Sequence, residues 1–272
     1  MDVKRLLWAY LFLFLLKGNL FGIDNYLSGS RFGAMANCGV AVPDIWSVSH
    51  NQAGLGLIDK TQIGLFHEQK FLVKELGFSS LAATFPIKAG TFGLLFNYFG
   101  YSKYHEMKLG IGFGKKLGSK ISAGVQLDYF TTFLPSSYSK QQAITVEFGL
   151  LSQLKENLNL GFHIFNPIPQ KYELNKEQQL PSYARLGLAY NIRKIVLLSV
   201  ETEVKSAEPT IFRAGIEYLP IQQLALRIGA SNQESPLSFG IGYNTNKLNF
   251  NIAFTDHQQL GLTPLFDIEV KF

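Results

Sequence analysis

The 272-residue chain is 47% apolar and only 17% charged, with 25 Gly, 23 Phe and a formal net charge of +5. That composition fits a soluble enzyme poorly. Beyond the N-terminus no apolar run reaches the roughly 18 residues of a spanning helix, which excludes a helical membrane protein. The basic residues form no Arg/Lys stripe, so the positive charge does not indicate nucleic-acid binding.

The N-terminus has the layout of a secretory signal peptide. Lys4 and Arg5 precede the apolar stretch 6–16, and Lys17 ends it. A stretch of about eleven apolar residues has signal-peptide length and is too short to cross a bilayer. We expect residues 1–22 to be a cleaved signal peptide, with an uncleaved N-terminal anchor as the alternative.

The next segment, residues 23–59, lacks clean alternation and is expected to form a hatch inside a barrel. Its distinctive residues are Arg31, Met35, Asp44, Asn51, Gln52, Ala53 and Gly54. The single cysteine, Cys38, excludes an intrachain disulfide. It lies too far past the apolar stretch for lipidation, so we expect it to pack as a small buried apolar side chain.

From residue 60 to residue 272 the chain alternates between apolar and polar residues in about fourteen segments, close to the ~9–11 residues of a tilted membrane strand. Ile121, Ala123 and Val125, for example, oppose Ser122 and Gly124. We therefore expect an all-β fold, a 14-stranded antiparallel transmembrane β-barrel with an N-terminal hatch in its lumen. The predicted strands are 61–67, 75–86, 90–100, 104–116, 119–132, 141–153, 157–166, 181–191, 194–205, 210–219, 222–231, 236–244, 247–256 and 262–272.

The predicted connections differ in length on the two sides of the barrel. Those near residues 88, 117, 155, 192, 220 and 245 are tight turns, whereas 133–140, 167–180, 205–209 and 257–261 are longer. Outer-membrane barrels have short periplasmic turns and longer extracellular loops. This pattern predicts a protein of the outer membrane with its tight turns in the periplasm.

The last predicted strand has a second recognisable feature, its aromatic end. Phe266, Ile268, Val270 and the terminal Phe272 alternate with polar residues. The pattern resembles the signal by which the barrel-assembly machinery recognises a substrate, and that machinery is the first expected partner. An ordinary amphipathic strand that happens to end in Phe is the alternative.

Charged residues fall on the inward face of several predicted strands. They are Asp128, Glu147, Arg185, Glu201, Arg213, Glu217 and Arg227. They are interpreted as a ladder of ion pairs across neighbouring strands, with a selectivity lining or ligand site as the alternative. We expect Arg31 of the hatch to pair with an inward carboxylate such as Glu201 or Glu217.

No catalytic or cofactor motif stands out. The glycines of the stretch 110–116 lack the spacing of a phosphate loop and lie in an alternating strand. The five histidines show no metal-ligand spacing, so we expect no metal and no cofactor. A barrel lipase would need a Ser–His pair on the lipid face, but His163 points inward and no partner serine is indicated. The chain is expected not to be an enzyme.

The hatch resembles the corresponding segment of the PorV/PorQ group of Bacteroidota outer-membrane proteins, which is related to the FadL family of long-chain fatty-acid channels. Those proteins carry an Ala/Ser-Arg-x-x-x-Met-Gly segment, a Val-Ala repeat, an Asp and an Asn-Pro-Ala-Gly-Leu box. The matching residues here are Arg31, Met35, Val40-Ala41, Asp44 and the stretch 51–55, with Gln52 in place of Pro and Ala36 in place of Gly. The resemblance implies a fourteen-stranded barrel.

Three functions follow as expectations. The resemblance to PorV and PorQ implies a non-enzymatic accessory or scaffold protein of a type IX secretion-like complex, with outer-membrane lipids and other outer-membrane or secretion proteins as partners. The FadL relationship implies instead a channel for hydrophobic small molecules, with a lateral opening; alternation slips at Ser79-Ser80, where we expect a bulge. A polar-solute pore is the third possibility.

Overall fold

A computed structural model describes residues 25–133, 141–169, 180–206 and 208–272. The expected signal peptide, residues 1–22, lies outside the described part of the chain. Fourteen antiparallel strands follow one another around a closed barrel, with the first strand paired to the last. The fold class and the strand count predicted from alternation are therefore confirmed.

The strands are β1 (Gln62–Gln69), β2 (Gly77–Ile87), β3 (Gly90–Tyr101), β4 (Tyr104–Lys116), β5 (Ile121–Phe133), β6 (Gln141–Lys155), β7 (Leu158–Phe165), β8 (Tyr183–Ile192), β9 (Val196–Lys205), β10 (Ile211–Ile221), β11 (Leu224–Ser231), β12 (Leu237–Asn244), β13 (Leu248–His257) and β14 (Gly261–Lys271). The six connections that follow even-numbered strands are all short. Most of those after odd-numbered strands are longer, although a short turn joins β3 to β4. We call the two ends of the barrel the tight-turn rim and the long-loop rim.

The expected bulge at Ser79-Ser80 is wrong. β2 pairs in continuous register with β1 and with β3 through both residues. Phe78 and Ser80 are buried on the inward face while Ser79 is exposed on the outward face. The hydrophobic pattern slips because an outward residue is polar, and the backbone does not kink.

The outward face carries an apolar band, as the alternation predicts. Leu127, Ile144 and Val200 are each more than half exposed there, as expected for side chains that meet lipid. Phe266 and Ile268 of β14 also point outward, and Phe272 ends the chain beside Thr61. Within the described ranges, no helix is long and apolar enough to cross a membrane.

Residues 25–58 fill the lumen as a compact hatch. It contains the short helices α1 (Ser30–Gly33) and α2 (Ser47–His50) and a 3₁₀ segment over Gln52–Leu57. Trp46, Phe32, Met35 and Leu55 are fully buried and form one apolar cluster with inward side chains of the wall. The barrel core is thus built by the hatch, because the wall's own inward side chains cannot fill a barrel of this width.

Candidate functional site

The inward carboxylates of the wall hold the hatch by hydrogen bonds from hatch groups. Ser30 donates its backbone N–H to Asp267 at 2.5 Å, and the indole of Trp46 donates to Glu269 at 2.9 Å. The N–H of Val40 donates to Glu201 at 3.0 Å. A buried carboxylate is costly unless it accepts such bonds. Glu201 of the predicted ladder and two carboxylates outside it therefore anchor the hatch.

Arg31 makes the strongest single connection between hatch and wall. Its Nε and Nη2 donate to the two carboxylate oxygens of Glu217 at 2.9 and 2.7 Å, and its Nη1 donates to Asp44 at 3.1 Å. Of the two partners expected for it, the structure selects Glu217. Burial opposes the charge of Arg31, but the carboxylates of Glu217 and Asp44 outweigh burial and hold its pKa above the usual value.

The rest of the charge ladder forms two further groups. Arg185 binds Glu201 at 2.5 Å, and Glu201 also meets Arg213 at 3.4 Å. On the neighbouring strands β10 and β11, Arg227 binds Glu217 at 2.6 Å. Opposite charges on neighbouring strands thus neutralise one another in a lumen where each side chain is buried.

One member of the ladder, Lys108, was missed by sequence reasoning. It lies on the inward face of β4 and binds Glu147 at 2.5 Å and Asp128 at 3.4 Å. His163, inward as predicted, contacts Glu147 through Nε2 at 2.8 Å. The sequence did carry a signal for this position: Leu109 and Ile111 alternate as outward residues of β4, so the even-numbered Lys108 must point inward.

The second half of the hatch motif is tied to the wall over strands β5 and β6. Asn51 donates to the carbonyls of Val40 and Leu150 at 2.6 and 3.0 Å. Gln52, at the position where the sequence motif that the hatch resembles has proline, donates to Glu147 at 2.7 Å. The carbonyl of Ala53 accepts from Ser122 at 2.6 Å. Gln52 therefore contributes a contact that a proline lacks.

Two glycine positions explain the close packing between wall and hatch. A Cβ on Gly215 would lie 2.6 Å from the Cβ of Met35, and one on Gly161 would collide with the backbone of Val40. Gly54, within the hatch, is similarly close to Ser47. These glycines are required by the approach of another chain segment rather than by their own backbone conformation.

His50 and Cys38 are buried polar groups of the hatch. His50 Nε2 lies 3.0 Å from the carbonyl of Ser28, and its Nδ1 lies 3.5 Å from Arg185. Burial, together with the charge of Arg185, lowers the pKa of His50 well below its usual value. Burial also raises the pKa of the Cys38 thiol, which agrees with its expected role as a packed apolar group.

Cavities lie on both sides of the hatch. A vestibule of about 580 Å³ opens at the long-loop rim, bounded on the hatch side by Gly33, Ala36 and Asn37. At the tight-turn rim, a cavity of about 200 Å³ is bounded by Arg31 and Pro43. Residues 31–37 therefore border both spaces, and we call them the gate segment.

The gate segment is held at two further points. Asn37 accepts from Arg185 at 2.9 Å through its carbonyl, and Ala36 donates its N–H to Ser238 at 2.9 Å. Ala36 and Asn37 both have positive φ, 53° and 63°. A left-handed backbone disfavours a side chain, so a glycine would fit at position 36 with less strain than Ala36 does.

Aromatic side chains cluster inside the barrel near the long-loop rim, and two of them, Tyr26 and Tyr183, line the vestibule. They point inward from strand ends near the long-loop rim, and with Tyr26 of the hatch they comprise Phe66, Phe78, Phe99, Phe130, Phe165 and Tyr183. Tyr26 stacks on Phe99 with ring centroids 4.8 Å apart, and Phe165 stacks on Tyr183 at 5.1 Å. Most of these rings are buried, so the cluster, which we call the aromatic floor, faces the vestibule through Tyr26 and Tyr183.

No protein-family model and no curated protein matches the chain, but solved structures do. It is similar to the CymD monoaromatic hydrocarbon channel, with a TM-score of 0.69 at 10% identity over 92% of this chain and 99% of that one. It is also similar to the Ralstonia pickettii toluene transporter TbuX (TM-score 0.68, 13% identity, 90% and 98% covered). A Pseudomonas aeruginosa FadL homologue gives 0.65 at 11% identity over 94% and 99%. The chain therefore has the fold of FadL-type channels.

Proposed function

We propose that the protein is an outer-membrane channel that takes up small hydrophobic molecules, with the gate segment as its movable barrier. The observation that carries this proposal is the aromatic floor, which faces an open vestibule through Tyr26 and Tyr183, together with the gate segment, which borders both this vestibule and the cavity at the tight-turn rim. Two of the similar structures are named for monoaromatic hydrocarbon and toluene transport, which supports the same substrate class.

The route we propose begins at the long-loop rim, placed outside the cell with the tight turns in the periplasm. A hydrophobic solute leaves water for the aromatic floor, where rings such as Tyr26 and Phe99 offer stacking contacts. The gate segment then releases Glu217, Arg185 and Ser238 and opens the way to the cavity beside Arg31.

A second candidate function is the scaffold role that the hatch motif implies, as an accessory protein of the PorV/PorQ type in a type IX secretion-like complex. The packed, ion-paired lumen favours it, because Asp267, Glu269, Glu201 and Glu217 all fix the hatch in place. For a scaffold the hatch needs only to stay closed. Other outer-membrane or secretion proteins would be its partners.

Uptake and purification together separate the two functions. Cells that lack their own hydrocarbon channels and express this protein are expected to accumulate radiolabelled toluene faster than cells with an empty vector. A matched variant, Phe99→Asp, places a charge on the aromatic floor and should abolish the gain. The scaffold role would be established instead by two results together. Toluene uptake would equal that of cells with an empty vector, and secretion proteins would be recovered in stoichiometric amounts with this protein from gently solubilised membranes.

A further inference from the structure

The outward face of the barrel carries a polar pair at the point where the hydrophobic pattern slips. His67 of β1 and Ser79 of β2 are direct cross-strand partners, and both point outward. Their outward neighbours Leu65 and Leu81 are apolar and exposed. Sequence reasoning found no partner serine for a histidine on this face, because the two residues meet only through the pairing of β1 with β2.

The contacts of the pair fix which ring nitrogen of His67 donates and which accepts. Ser79 Oγ lies 2.9 Å from His67 Nδ1, and His67 Nε2 lies 3.4 Å from Gln69 Oε1. The amide nitrogen of Gln69 donates to the carbonyl of Val73, which leaves its oxygen for the histidine. A neutral His67 that carries its proton on Nε2 then presents a free lone pair on Nδ1 to the Ser79 hydroxyl.

This is the arrangement of an activated nucleophile. A serine needs an adjacent base to become nucleophilic, and the base needs a third group that fixes its tautomer. Ser79 supplies the hydroxyl, His67 the base and Gln69 the orienting acceptor.

An apolar groove of about 340 Å³ adjoins the pair on the lipid-facing surface. It crosses β14, β1, β2 and β3, and its apolar side chains include Leu65, Leu81, Phe96, Phe266 and Ile268. The His67 ring also packs against Phe266, with centroids 5.3 Å apart. His67 and Ser79 each lie two residues from the long-loop end of their strands, where lipid headgroups meet the acyl chains.

We propose that Ser79, His67 and Gln69 form a lipid-facing hydrolytic site that cleaves acyl esters of membrane phospholipids. The groove takes the acyl chain, and its place at the rim brings the ester bond to Ser79. Bilayer lipids are the molecules in contact with this face, so a phospholipid is the substrate class that the position selects. The site is outside the lumen and is independent of the proposed channel.

The reaction has two steps. Ser79 Oγ attacks the ester carbonyl while its proton moves to His67 Nδ1, and the ester C–O bond breaks as His67 returns that proton to the departing lysophospholipid alcohol. Water then attacks the acyl-serine and gives a proton to His67. The Oγ–acyl bond breaks, the fatty acid leaves, and His67 reprotonates Ser79.

The test uses the folded full-length protein in phosphatidylethanolamine vesicles, with a fluorophosphonate probe and with fatty-acid release as readouts. We expect the probe to label the peptide that contains Ser79, and Ser79→Ala to abolish both labelling and release. His67→Asn should slow both by about 100-fold or more, the usual contribution of a general base. The control is Ser152→Ala, which removes an outward serine near the tight-turn rim and should change neither readout.

Gln69 is a positioning residue, so its test is a pH profile. Gln69→Glu places a carboxylate beside the imidazole, which stabilises the protonated form, and the labelling rate should then reach half its maximum at a higher pH. A wild-type protein that is folded, as shown by the heat-dependent electrophoretic shift of the barrel, but takes no label and releases no fatty acid would overturn the proposal. Equal labelling of wild type and Ser79→Ala would do the same.

Discussion

The bidentate contact between Arg31 and Glu217 is expected to control release of the gate segment. Two charge-assisted hydrogen bonds of 2.9 and 2.7 Å join them, and each such bond contributes about 1.5–3 kcal/mol. The free energy lost when the contact is broken is smaller than the sum of the two bonds, because Glu217 keeps Arg227 as a partner and Arg31 keeps Asp44. We expect a coupling free energy of about 2 kcal/mol between the two residues, which corresponds to roughly 30-fold in an equilibrium constant.

The assay uses the buried thiol of Cys38, which follows the gate segment directly, as a reporter of opening. Cys38 is fully buried, so a maleimide reacts only when the hatch moves. Modification rates are compared for Arg31→Gln, Glu217→Gln, the double variant and the wild type, with Lys88→Gln in an exposed turn as the control. We expect Arg31→Gln to accelerate modification about 30-fold. A coupling below about 0.5 kcal/mol, as in an exposed ion pair, would refute the anchoring role of Arg31.

Three further predictions concern the hatch. Docking of the hatch should weaken as the pH falls below about 6.5, the ordinary pKa of histidine. The pKa of His50 is lowered in the docked state, so on acidification His50 of the released hatch is protonated before that of the docked hatch. Acid therefore favours release. Protease accessibility between pH 7.5 and 5 measures this, and His50→Asn should flatten the dependence. Gly161→Leu should prevent docking, because a side chain there collides with the backbone of Val40, and Cys38 should then react rapidly in the folded barrel; slow modification would contradict the packing described. Ala36→Gly should raise the melting temperature or leave it unchanged. It removes the strain of a left-handed alanine, about 1–2 kcal/mol, at an entropic cost of roughly 0.5–1 kcal/mol. A clear drop in the melting temperature would count against strain at Ala36.

The barrel was predictable because each strand carries its own signal. Alternation in β5 or β13 is local, so fourteen strands and the inward position of residues such as Arg185 and Glu217 follow from period two alone. The same parity would have placed Lys108 inward. Cross-strand partners depend on register, which is fixed by the closed barrel as a whole.

The position of the hatch groups was less predictable for the same reason. Sequence alone left Arg31 with two candidate carboxylates, and only the path of the gate segment selects Glu217 over Glu201. The slip at Ser79 was visible in the sequence but was misread as a backbone bulge. A polar residue on an outward face and a bulge give the same hydrophobic pattern, and pairing with His67 distinguishes them.

The most direct test of the channel with a movable gate is a disulfide that locks the hatch to the wall. The hydroxyl of Ser199 on β9 donates to the backbone carbonyl of Cys38 at 3.4 Å, so Ser199→Cys places a second thiol next to the single cysteine of the sequence. Toluene uptake is then measured in cells expressing this variant, before and after mild reduction, with Ser199→Ala as the control. We expect uptake to be lost in the oxidised variant, to return on reduction and to be unaffected in the control. Equal uptake by the oxidised and reduced variant, with the disulfide verified by mass spectrometry, would contradict a gate that must move.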